Sequence, residues 1–228
     1  MKTPRRQFAV IGLGRFGSAI ATTLSELGHD VIGVDAHADR VQHLADVVTQ
    51  AMELDATDEK ALRAAGIHEV DVAVVSIGEN IESSLLVVMQ LRELGVPTIV
   101  AKAVSPLHGR ILEKLGVSRV IFPDREMAIR VAHSLVLSNV IDYIEVSREF
   151  GIIEIPAPAA FVGRTLRQLE IRPRFGLTLI AIKRQKTPQG PVTTTIAPGA
   201  DETIREGDVL ALLGDTERLG QLDRRLRE

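Results

Sequence analysis

Residues 12–17 read GLGRFG, a Gly-x-Gly-x-x-Gly spacing that follows an apolar run, and Asp35 stands 18 residues beyond the last glycine. The chemistry this spacing serves is the holding of a phosphate. Gly12 permits a tight turn, Gly14 lets backbone approach a phosphate closely, and Gly17 allows a helix to pack against a strand. The helix that opens there, with Arg15 and Phe16 in its first turn, directs free N–H groups and the positive end of its dipole at the anion. A carboxylate at Asp35, at the end of a second strand, is placed to accept hydrogen bonds from ribose hydroxyls and to repel a 2′-phosphate.

Such a turn counts only where a strand precedes it and a helix follows. Residues 8–14, 30–35, 47–56, 70–78, 98–104 and 119–123 are short and rich in Val and Ile, the near-continuous apolar pattern of strands buried on both faces. Helix-period segments lie between them, several closing on a glycine suited to a C-cap: Gly28, Gly66, Gly95 and Gly116. Six strands alternating with helices predict a doubly wound α/β fold, a parallel Rossmann sheet with right-handed crossovers. Lys102 falls at the C-terminal end of a strand, on the edge where ligands of such sheets sit.

The pattern changes after a further helical segment at 125–137. Strand candidates at 146–158, 177–185, 190–198 and 208–215 surround one helical stretch at 165–176, and residues 216–228 form a closing helix. A small α+β unit is expected over 144–228, with the first domain ending at Tyr143. About 80 residues is near the lower limit for independent stability, so dimerisation through this unit is expected. Pro173 disfavours helical backbone at Arg172 and is expected to end the helix there.

The composition narrows the function. With 45% hydrophobic and 25% charged residues the chain can bury real cores, and a formal net charge of -3 offers no polybasic footprint for nucleic acid. No cysteine is present, which excludes disulfides and thiolate zinc sites and fits a cytoplasmic protein. The start MKTPRRQ carries no signal-peptide apolar region, and no membrane-spanning run occurs, so a soluble chain is expected. A dehydrogenase needs a proton donor or acceptor near its nicotinamide. The six histidines, 29, 37, 43, 68, 108 and 133, all precede residue 144 and show no catalytic or metal-binding spacing. The expected protein is therefore not an enzyme, with a small NAD-dependent oxidoreductase or a stand-alone nucleotide sensor as the alternative.

GLGRFG, VIGVD, LDATD, VSIGENIESSLLVVMQLRELGV, IVAKAVSPLHGRILEKLG and VIFPDREMA, taken in order, closely resemble the regulatory subunits of Ktr/Trk-type potassium transporters, which carry an RCK (KTN) domain. VGRTLRQLEIRPRFGLTLIAIKR and REGDVLALLGD resemble that family's C-terminal RCK (TrkA-C) domain. The resemblance implies a cytoplasmic homo-oligomer, from dimer to octameric ring, which sits beneath a membrane-embedded potassium channel subunit and gates it. It implies ATP or ADP in the cleft, with NAD or NADH as the alternative. Arg15 would reach a neighbouring subunit's γ-phosphate, Asp35 would hold ribose, and Asp55 would lie beside adenine. Asp124 departs from the family's usual Glu at a position that implies a divalent cation, Mg or Ca. In the second domain the resemblance implies cyclic di-AMP across a dimer, with Arg172 on phosphate, Ile171, Leu179 and Pro198 on the bases, and Thr178 where some relatives have Asn.

Overall fold

The computed structural model describes residues 4–136, 140–147, 149–185 and 190–225. They form two compact units, Met1–Pro123 and Asp124–Glu228.

The first unit holds six strands, β1 (Gln7–Ile11), β2 (Asp30–Asp35), β3 (Gln50–Glu53), β4 (Val72–Val75), β5 (Thr98–Lys102) and β6 (Arg119–Ile121). They pair in parallel in the order β3-β2-β1-β4-β5-β6, with Ala9 opposite Ile32 on one side and Ala73 on the other. Helices α1 (Arg15–Glu26), α2 (Ala38–Gln42), α3 (Glu59–Ala64), α4 (Ile81–Glu93) and α5 (Pro106–Lys114) provide the crossovers. Strand β4 is buried at every residue because helices cover both faces, whereas edge strand β3 is exposed at both ends and only partly buried at Ala51 and Met52. The doubly wound parallel sheet expected from the sequence is present, and the four glycines expected at helix ends all take positive φ. The order reverses between β1 and β4, which makes the carboxyl ends of those strands the switch point where open α/β sheets bind ligands.

The second unit is built on α6 (Pro123–Val136), whose first residue closes the preceding unit, and on five antiparallel strands. These are β7 (Asp142–Glu145), β8 (Phe150–Pro156), β9 (Thr178–Gln185), β10 (Val192–Ile196) and β11 (Val209–Asp215), in the order β10-β9-β11-β8-β7. Short helices α7 (Leu166–Leu169) and α8 (Ile171–Phe175) and the closing α9 (Thr216–Arg225) complete it. Its core gathers Ile153, Leu169, Leu177, Ile182, Leu210 and Leu212. At 0% exposure the Asp208 carboxylate takes two guanidinium bonds from Arg184, at 2.7 and 2.8 Å, and Arg184 also reaches Glu202. That bidentate pairing neutralises a charge that would otherwise be costly to bury.

Three sequence expectations differ from the structure here. Tyr143, placed at the end of the first domain, is 3% exposed within the second core, in β7 and opposite Ile153. Helix α6 is tied to the same strand, since the Arg130 guanidinium bonds both oxygens of Asp142. The helix expected over 165–176 is two helices, broken at Glu170, which takes a left-handed φ of 46°. Pro173 does not end the helix. It is the third residue of α8, within a first turn whose N–H groups need no intrahelical partner, so its ring is tolerated and Arg172 is helical.

Candidate nucleotide-binding site

The turn between β1 and α1 is shaped by its glycines. Gly12 takes φ +92°, and a Cβ there would press on the Ile77 backbone nitrogen at 3.1 Å. A Cβ on Gly17 would overlap the Gly12 carbonyl oxygen, so the helix can approach the strand only without one. Gly14 is the opposite case, because a Cβ built on it meets no atom within 4 Å. The space before Gly14 is open, as a phosphate approaching the backbone requires. Helices α3, α4 and α5 each have a side-chain cap, from Asp58, Asn80 and Ser105, whereas α1 has none and no acid in its first turn. Its N–H groups and dipole end are therefore available to an anion.

Asp35 closes the site at the end of β2. Its side chain is 4% exposed, and both oxygens are engaged. Oδ2 accepts from the Leu13 backbone N–H at 2.7 Å and faces Arg40 at 3.5 Å, while Oδ1 accepts from the His37 N–H and contacts the His37 ring, both at 2.9 Å. Burial alone would raise this carboxyl, but the Leu13 and His37 contacts and the Arg40 charge outweigh it and hold the group below the ordinary carboxylate range. Asp35 thus carries a charge at neutral pH and fastens the glycine turn to β2.

The other candidates of the first unit fall along the same edge. Lys102, at the end of β5, holds Nζ 5.8 Å from the Phe16 ring centroid and beside Gly78, which brings Lys102 and Phe16 together. Asp55, exposed beyond β3, accepts from the Thr57 N–H at 2.9 Å and its hydroxyl at 2.7 Å, contacts that lower its pKa. Leu54 N–H bonds the Asp35 carbonyl, so Asp55 follows directly on the strand pair that ends at Asp35. Arg15 is exposed at the first position of α1. Sequence reading missed Arg40, His37 and Glu79. The available signal was a histidine and an arginine two and five positions after a strand-end aspartate, although the link to Glu79 needs the strand order.

The TrkA-N domain family matches residues 8–123 and the TrkA-C domain family residues 151–227. The chain belongs to the TrkA-N/TrkA-C family. It is 39% identical over 222 residues to the Ktr system potassium uptake protein C of Bacillus subtilis, covering 97% of this chain and 98% of that protein. Identity to the Ktr system potassium uptake protein A of the same organism is 37% over 209 residues, covering 92% and 91%. Among solved structures, the GsuK channel bound to NAD superposes with a TM-score of 0.64 over 99% of this chain at 20% identity, a likeness of fold. This chain spans 40% of that one.

Within the TrkA-C unit, Arg172 lines a cavity of about 330 Å³ together with Arg174, Arg218 and Gln221. Ile171 is in the unit's core at 7% exposure. Thr178 is exposed at the start of β9, Leu179 is partly buried, and the Ala197 N–H bonds the Ile180 carbonyl, which sets Pro198 beside that end of β9. Asp124 is exposed in the first turn of α6. Among the described residues no three His, Cys, Asp or Glu side chains gather as a metal site, and one carboxylate does not supply the six or more oxygens that Ca²⁺ takes or the octahedron of Mg²⁺. No described helix is long and apolar enough to cross a membrane.

Proposed function

We propose that this chain is a nucleotide-reading, non-catalytic regulatory subunit of a Ktr/Trk-type potassium uptake system. It assembles with copies of itself into a ring at the cytoplasmic face of a membrane-embedded potassium channel subunit. The observation that carries the reading is the pairing of an uncapped α1, with open space before Gly14, and the buried, ionised Asp35 one strand away. That pairing suits a ligand with phosphates at one end and a ribose at the other. The potassium uptake proteins to which the chain is 39% and 37% identical support the transport context.

ATP and ADP offer this site the same adenosine and the same two inner phosphates, so only the γ-phosphate separates them. Arg15, exposed and without an ion pair among the described residues, is the group we assign to read that phosphate from a neighbouring copy. A ligand shifts a two-state ring only by its difference in affinity for the two states, and a guanidinium contact made in one state supplies such a difference. In the second unit, three arginines around one cavity support a phosphate-bearing ligand, which we take to be cyclic di-AMP shared by two chains.

Calorimetric titration of ATP, ADP, NAD, NADH and cyclic di-AMP, paired with size-exclusion chromatography, tests the reading. ATP and ADP binding with a nucleotide-sensitive ring is expected, as is one cyclic di-AMP per two chains, lost in Arg172→Ala while ATP binding persists. A monomer that turns over NAD contradicts the regulatory reading. One cyclic di-AMP per chain, or none bound, removes the second ligand.

A further inference from the structure

Asp35 has no spare partner position for a ribose. A carboxylate offers about four lone-pair sites, and here each oxygen already faces two donors. Three of those contacts lie at 2.7–2.9 Å, whereas the Arg40 guanidinium stands at 3.5 Å, beyond the usual range for N–H···O bonds. The same guanidinium bonds Glu79 Oε1 at 3.1 Å. Asp35 ends β2 and Glu79 follows β4, and β1 lies between those strands. Arg40 therefore bridges the switch point, over the edge from which the glycine turn leaves β1.

We propose that Arg40 is a strap across the ribose end of the nucleotide site, held by Glu79 and displaced from Asp35 by the ribose hydroxyls as ligand enters. The inference rests on reading Gly12–Gly17 and Asp35 as a nucleotide site. Exchange is favoured because the contact given up is the weakest of the four at Asp35. The strap and its outer anchor are free to move, since the Arg40 side chain is 36% exposed and that of Glu79 is 82% exposed. Glu79 also immediately precedes Asn80, whose side chain caps α4 by accepting from the Ser83 N–H at 3.0 Å. Release of Arg40 thus frees the loop that leads into α4, which gives ribose occupancy a route to that helix.

The test is the association rate of ADP, measured by stopped flow on the full chain. Arg40→Met keeps the length of the side chain and removes its charge. It is expected to associate roughly two- to fivefold faster than wild type, the factor that loss of one partly exposed ion pair corresponds to. Glu79→Gln is expected to show a gain of the same sign, and the double variant no more than Arg40→Met alone, because both changes open one strap. If Arg40 instead served to attract the ligand or to touch it, losing its charge would slow association or weaken binding, and gains at Glu79 would add to whatever Arg40→Met does. Either result overturns the strap. Failure of wild type and every variant to bind ADP overturns the nucleotide site itself, whereas binding that appears only in Arg40→Met supports the strap directly.

Discussion

Replacing Asp35 with Ala separates its structural hold on the glycine turn from the ribose-binding role proposed for it. The buried Leu13 N–H, bonded at 2.7 Å, loses its partner in a place water does not reach, which costs about 1–3 kcal/mol. The His37 N–H lies in an exposed turn and is resolvated, so it adds little. A total loss of about 1–3 kcal/mol is expected for the first unit, or a fall of about 0.5–1.5 M in its urea midpoint at a slope of about 2 kcal/mol/M. Ribose-bearing ligands should weaken by about 1.5–3 kcal/mol more, some ten- to hundredfold, and NADP should bind worse than NAD because of the charge at Asp35. Asp35→Asn should not rescue stability, since its amide NH₂ must face either the Leu13 or the His37 donor. The pH dependence follows from the lowered pKa of the folded state. The stabilisation is complete above the unfolded carboxylate's pKa and is lost as pH falls through the lower, folded one, so wild type and Asp35→Ala should converge in acid. Urea unfolding monitored by hydrogen exchange at first-unit amides, alongside ADP calorimetry, provides the assay. An unchanged midpoint with weakened ADP binding would refute the structural role of Asp35, and the reverse would refute its role toward ribose.

The second and third turn glycines should part in their effects. Gly17→Ala should destabilise the first unit by about 1–3 kcal/mol and abolish nucleotide binding because its Cβ overlaps the Gly12 carbonyl, whereas Gly14→Ala should leave the urea midpoint nearly unchanged and weaken only the binding of phosphate-bearing ligands. Arg15→Ala should erase the affinity difference between ATP and ADP while leaving ADP affinity intact, and calorimetry showing a collapse of ADP binding assigns Arg15 to its own chain's pocket instead. His108 is 1% exposed with no partner at Nε2 among the described residues, and burial pushes its imidazole below the ordinary histidine value. The unfolded chain then binds a proton the folded chain refuses, so stability should begin to fall as pH drops below about 6.5, by at most about 1.4 kcal/mol per pH unit, a slope absent in His108→Leu urea titrations.

Local patterns made the first unit legible. Strands buried on both faces, such as β4, leave an unbroken apolar run, and Gly12 and Gly17 answer two separate steric demands met within six residues, with open space before Gly14 between them. Contacts that depend on strand order left no such mark. The partner of Asp35 Oδ2 is the backbone N–H of Leu13, a group every residue but proline carries, and the Arg40–Glu79 bond joins positions 39 residues apart. The break at Glu170 was hidden because a left-handed turn is ordinarily signalled by glycine, and none stands there. Strand β7 was missed because it is four residues long and is fixed by the grip of Arg130 on Asp142 and by pairing with β8, not by its own composition.

The bond between Asp35 and the Leu13 N–H also constrains how the site can change over generations. A lineage that came to favour a 2′-phosphorylated cofactor would ordinarily exchange the strand-end acid for a small or neutral residue. Here that exchange unfastens the glycine turn in the same step, so on the proposed nucleotide reading the architecture itself would hold the site to an unmodified ribose, and escape would require a second, simultaneous substitution to hold the turn.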